Sequence, residues 1–197
     1  AALTIDIGID HTGSGFTISD AASVTLKTSN TGTTGEDFVA VALDTAETTS
    51  LTIQGGTDDD AHIDTGAITA SDALTSLTLT SSTTGAPVVM GTMVDADSLT
   101  SITATGSYGA ITTGAIGGTG TAEVLATITA SASYDSVVTL GAITADTTNS
   151  TTENDMTITA TTDDYASSQV VFGAVTNTQG NITINASGGG DLDTGAL

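Results

Sequence analysis

Ser76-Leu77-Thr78-Leu79 and Ser101-Ile102-Thr103-Ala104 are two copies of one pattern: a small polar residue, a branched apolar residue, Thr, then an apolar residue or Ala. The pattern returns as Ser23-Val24-Thr25-Leu26, Ser50-Leu51-Thr52-Ile53, Thr127-Ile128-Thr129-Ala130, Thr157-Ile158-Thr159-Ala160 and Asn181-Ile182-Thr183-Ile184. Leu3-Thr4-Ile5 reads as an earlier, shorter turn. The branched residue stands at 24, 51, 77, 102, 128, 158 and 182, so the intervals are 27, 26, 25, 26, 30 and 24 residues. Strict alternation places the two apolar positions on one face and Thr on the other, which describes a half-buried strand and excludes a helix.

A second motif keeps step with the first: Thr65-Gly66-Ala67-Ile68, Met90-Gly91-Thr92-Met93, Thr113-Gly114-Ala115-Ile116, Leu140-Gly141-Ala142-Ile143, Phe172-Gly173-Ala174-Val175 and Thr194-Gly195-Ala196-Leu197. Val39-Ala40-Val41 takes the same place without Gly. Glycine inside a strand pattern marks a bend or a close approach of backbones. A unit of roughly 26 residues with two or three short strands cannot close a core alone, whereas stacked units share one continuous interior. The expected fold is therefore all-β: a right-handed parallel β-solenoid of about seven coils, roughly 34 Å long at about 4.8 Å per coil.

Two inward columns follow from this reading, one of Val24, Leu51, Leu77, Ile102, Ile128, Ile158 and Ile182, the other of Ile68, Met93, Ile116, Ile143, Val175 and Leu197. Tyr108, Tyr134 and Tyr165 share a place in the repeat, as an aromatic ladder or as three corner-packing residues. Residues 1–197 read as a single solenoid segment. Neither end carries a recognisable cap, and a solenoid needs its terminal strand edges covered, so the segment is expected to belong to a longer chain.

Thr, Ala, Ser, Gly and Asp dominate the composition, with three Phe, three Tyr, no Trp and one Pro, which argues against a broad aromatic core. Twenty-three acidic residues face a single base, Lys27, for a formal charge of −22. Such a surface repels nucleic acid and anionic membranes, whose recognition needs Lys and Arg, and divalent cations are its natural counter-ions. There is no apolar run near the roughly 20 residues that span a bilayer, so no membrane insertion is expected. With no Cys, neither a disulfide framework nor a thiolate metal site is available.

The acids gather between strands: Asp58, Asp59, Asp60 and Asp64; Asp95 and Asp97; Asp163 and Asp164; Asp191 and Asp193. Oxygen-only ligands on flexible loops suit Ca²⁺, which takes six to eight oxygens, so these ten residues are the candidate calcium ligands. Their alternative is a solvated acidic surface. Gly55-Gly56-Thr57-Asp58-Asp59-Asp60 and Gly188-Gly189-Gly190-Asp191-Leu192-Asp193 approach the calcium-binding nonapeptide Gly-Gly-x-Gly-x-Asp-x-apolar-x, with Asp where its third Gly belongs.

No catalytic residue is assigned, and the chain is not expected to be an enzyme. His11 and His62 are the only histidines, and His62 beside Asp60 and Asp64 reads as a loop residue near acid. No carboxylate pair is singled out for glycan cleavage, and no nucleophile elbow, phosphate-binding loop or zinc spacing occurs. The outward column Thr25, Thr52, Thr78, Thr103, Thr129, Thr159 and Thr183 resembles the flat hydroxyl ladders of ice-binding solenoids, though the repeat length varies and Lys27, Gln54 and Asn185 flank it.

The Ser76-Leu77-Thr78-Leu79-Thr80 segment with its neighbours, the Thr/Ala/Gly/Asp alphabet and the lack of Cys resemble the β-strand-repeat regions of Gram-negative surface-layer proteins and large secreted RTX-type adhesins. The resemblance implies a secreted solenoid at the cell surface that calcium stiffens and joins to copies of itself in a layer or filament. A cell-surface glycan or lipopolysaccharide is a further expected partner. The alternatives are the stalk of an adhesin, and an ice-binding or glycan-binding solenoid that uses the outward Thr ladder.

Overall fold

A computed structural model of the chain describes residues 1–7, 16–28, 36–37, 41–43, 47–57, 62–70, 72–83, 85–117, 124–145, 155–177 and 180–197. Every regular element among the described residues is a β-strand, and every pairing is parallel. The strands, β1 to β21 in chain order, wind through three faces as a β-solenoid. The first face is an eight-stranded sheet of β1 (Ala2–Ile7), β3 (Ser23–Thr28), β6 (Ser50–Gln54), β9 (Ser76–Ser81), β12 (Ser101–Ser107), β14 (Thr127–Ser133), β17 (Met156–Thr162) and β20 (Ile182–Ser187).

The second face runs through β4 (Glu36–Asp37), β7 (Ile63–Asp64), β10 (Val88–Met90), β13 (Ile111–Thr113), β15 (Val137–Leu140), β18 (Gln169–Phe172) and β21 (Asp191–Thr194). The third holds β2 (Phe16–Ile18), β5 (Val41–Leu43), β8 (Ile68–Thr69) and β11 (Met93–Val94), then β16 (Ile143–Ala145) and β19 (Val175–Asn177). Single bridges from Met93 to Ile116 and from Ile116 to Ile143 join those two sets. The turns β3–β5, β6–β8, β9–β11, β14–β16 and β17–β19 each place a strand on all three faces.

The alternation read from the sequence is the alternation found: the inward residues of β3, β6, β9, β12, β14 and β17 are buried and their outward neighbours are not. Leu3, Val24, Leu51, Leu77, Ile102, Ile128 and Ile158 are in register from strand to strand. The next partner of Ile158 is Ile184, while Ile182 pairs with Met156, so the expected column is displaced by two residues at its last step. A two-residue slip keeps every side chain on its own face, so apolar alternation does not specify it. On the outward side the same slip puts Asn185, not Thr183, beyond Thr159.

The second expected column is buried at Ile68, Met93, Ile116, Ile143 and Val175, and Val41 of β5 pairs with Ile68. Val39 and Ala40 lie outside the described residues. Leu197 sits in no strand and is 62 % exposed, so it does not join that column. A third column, of Ile63, Val88, Ile111, Val138, Val170 and Leu192, lines the second face in register. Each member stands three residues before the Gly of the second motif. Leu74, Leu99 and Leu125 add a buried apolar residue three positions before the branched residue of the first motif. Burying each such side chain contributes roughly 1.5–3 kcal/mol.

The Gly column marks the corner between the second and third faces. A Cβ on Gly114 would stand 2.8 Å from the Gly91 carbonyl carbon, and one on Gly173 would stand 2.8 Å from the Gly141 carbonyl carbon. The coils touch there backbone to backbone, as the second motif implies. Gly188 differs, because it combines φ of +112° with a Cβ position overlapping the Thr162 carbonyl, and only Gly fits both demands.

Candidate functional site

Hydroxyl and carboxylate groups make most of the side-chain hydrogen bonds, and their partners are mainly the backbone of the neighbouring coil. Before the first face, Thr49 Oγ1 donates to the Ala22 carbonyl at 2.9 Å, Thr75 Oγ1 to Thr49 at 3.0 Å and Thr100 Oγ1 to Thr75 at 2.9 Å. This corner ladder locks one coil to the next. Buried Thr48 and Ser136 are satisfied in the same way, through the Ala21 and Gly106 carbonyls at 2.8 Å each.

The corner that leaves the first face carries all three tyrosines. Tyr108 and Tyr134 stack with ring centroids 4.3 Å apart and planes 4° from parallel, and Tyr165 follows at 5.5 Å with a 54° tilt. They form a ladder, and they are not packed into the core: each is between 43 % and 50 % exposed. Tyr108, Tyr134 and Asp135 have φ of +67°, +55° and +63°, conformations that bulky side chains avoid at a cost of order 1–3 kcal/mol each.

Asp163 explains why part of this strain persists. Its Oδ2 accepts the backbone N–H of Tyr134 in the preceding coil at 2.7 Å, and its Oδ1 accepts that of Tyr165 at 3.2 Å. Ser168 Oγ accepts the N–H of Asp135 at 3.2 Å and hydrogen-bonds Asp163 in turn. Desolvation beside the turn raises the Asp163 carboxyl, but the hydrogen bonds from Ser168, Tyr134 and Tyr165 outweigh it and hold the group below the ordinary aspartate value.

The ten candidate calcium ligands fall at different places. Asp64 in β7 and Asp191 and Asp193 in β21 lie within strands of the second face, not between strands as the sequence pattern implies, and four strands separate β7 from β21. Asp64 Oδ1 accepts the Gly66 N–H at 3.0 Å and so closes its own turn. Asp95 and Asp97 are exposed after β11, and Asp95 has φ of +58°. Asp163 and Asp164 lie at the tyrosine corner. Asp58, Asp59 and Asp60 lie outside the described residues. Among the described residues no three His, Asp or Glu side chains converge on one point. The second nonapeptide-like segment is a bend at Gly188–Gly190 followed by strand β21, with Asp191 and Asp193 directed outward on a sheet.

Two further features stand apart from the acidic residues. A cleft of about 120 Å³ at the last coil is lined by Ala160, Thr162, Ala186, Gly188, Gly190 and Leu192, well below the volume of ordinary small-molecule sites. The outward side of the first sheet is larger and more regular. Its rows Ser76-Thr78-Thr80, Ser101-Thr103-Thr105, Thr127-Thr129-Ser131 and Thr157-Thr159-Thr161 stand in register, so three hydroxyl columns run side by side, one of them the outward Thr column of the first motif. Compared with known proteins, the chain matches no family model, and neither a curated protein nor a solved structure is significantly similar to it.

Proposed function

We propose that this chain is a structural, non-enzymatic rod of a secreted cell-surface protein, a right-handed solenoid of about seven coils that calcium stiffens and that assembles with copies of itself into a layer or filament. The observation that carries this reading is the continuous parallel pairing of the first sheet from β1 to β20 around a buried apolar interior, with polar side chains tying coil to coil. Rigidity along one axis is what such a stack delivers. The right hand follows from the strong preference of parallel crossover connections for that sense.

Calcium enters through charge. A net charge of −22 opposes compaction and association, and divalent ions held by the candidate aspartates relieve both. The test is a calcium titration of the purified chain, followed by circular dichroism, light scattering and electron microscopy, with EDTA reversal and a magnesium control. Ordering and growth into regular arrays on adding Ca²⁺ is the expected result. A β-rich monomer indifferent to Ca²⁺ would overturn both the metal and the lattice.

A further inference from the structure

The outward residues of the first sheet differ in charge from the rest of the molecule. Across its eight strands they are Ala, Ser, Thr, Gln and Asn, with one acid, Asp6, and one base, Lys27. Those two are neighbours in the ladder and form an ion pair at 3.1 Å. The face therefore has no net charge, although the chain carries −22. Among the described residues the other acids stand in β4, β7 and β21 of the second face or between strands.

We infer that this neutral hydroxyl face is where a second copy of the chain docks, face to face. The strands of the third face also carry no acid, but they are only two or three residues long, so among the described residues the first sheet is the one broad face on which two copies meet without pressing carboxylates together. The face is also self-complementary, because each Ser or Thr hydroxyl both donates and accepts a hydrogen bond, so two identical arrays satisfy one another in a two-fold pairing. Carboxylates, which only accept when ionised, could not do this.

Size favours the same occupant. Eight strands about 4.8 Å apart and six residues wide make a face of roughly 34 by 20 Å, or roughly 1,400 Å² buried over both copies, within the range of stable interfaces. The inference deepens the assembly reading above by naming the surface, and it rests on that reading only for its setting. Pairing through this face uses no acidic cluster, so it is independent of calcium and strengthens with monovalent salt, which screens the repulsion between the two rods.

Sedimentation velocity of the whole chain over a concentration series, in EDTA and at increasing NaCl, tests it. The expected result is a monomer–dimer equilibrium that tightens with salt. Thr103→Asp and Thr129→Asp, at the centre of the face, should weaken dimerisation at least about tenfold. Thr112→Asp, which adds the same charge at an exposed position of β13 on the second face, should leave it within about twofold, with circular dichroism reporting the fold of each variant.

A monomer at every salt and concentration overturns the inference, as does equal weakening by Thr112→Asp. A monomer that slows ice growth through Thr103 and Thr129 also overturns it, by assigning the face to ordered water. Calcium arrays that survive Thr103→Asp overturn the docking face while leaving the proposed function standing. Dimers in EDTA that never grow on calcium do the reverse.

Discussion

Asp163 accepts hydrogen bonds from two coils at once, through Tyr165 in its own turn and through Tyr134 in the preceding one. Because these bonds depress its pKa, its contribution to stability is fully present above the unfolded value, about 3.9, and is lost as pH falls through the lower folded value. Acidification below that range should release Tyr134 from its left-handed conformation and change the near-ultraviolet dichroism of the tyrosine ladder. Asp163→Asn, which offers one acceptor oxygen in place of two, should lower the melting midpoint at neutral pH and abolish the acid step. An acid step of full amplitude in the variant would assign it to other carboxylates. None of this was legible in the sequence, where Asp163 stands out by its neighbour Asp164. Its decisive partner is a backbone N–H 29 residues away.

At the scale of the element, legibility follows strand length. Strands of the first sheet are mostly six or seven residues long, enough for three polar–apolar steps, and their faces follow directly from the pattern. Those of the second face span two to four residues, too short for a periodic signal, and their column emerges only when counted back from the Gly of the second motif. The Gly itself was readable, since its fixed place implied a close approach and the backbones do meet there. Gly141→Ala should therefore cost about 1–3 kcal/mol through overpacking, because a Cβ at that position would overlap the Gly114 backbone, which has no side chain to move aside. Ala142→Gly, one residue on, removes only an exposed methyl and should cost less than Gly141→Ala. Urea denaturation of the two variants makes the comparison, and equal costs would mean that the corner relaxes freely.

For the whole molecule the balance lies between a narrow apolar interior and a surface of one sign. Side chains from three faces fill that interior, many of them fully buried, and small Ala residues at 104, 130 and 160 let the faces approach. Against this stands a charge of −22 with Lys27 as the single Lys or Arg, and Lys27 neutralises Asp6 locally on a first sheet whose strands are otherwise uncharged. Repulsion among the other carboxylates runs along the rod between coils about 4.8 Å apart, well within the Debye length of about 10 Å at 0.1 M salt. Sodium chloride added in EDTA should consequently raise the thermal midpoint, by about 2–4 °C for each kcal/mol of repulsion relieved in a chain of this size. Circular dichroism melts over a salt series measure it, and replacing NaCl with an uncharged osmolyte at matched osmolality separates screening from general surface exclusion. A midpoint that rises with NaCl and not with the osmolyte locates the instability of this fold in its charge; one that ignores NaCl would mean that the carboxylates are already held apart by the width of the coil, and that calcium, if it acts, acts by joining molecules and not by folding them.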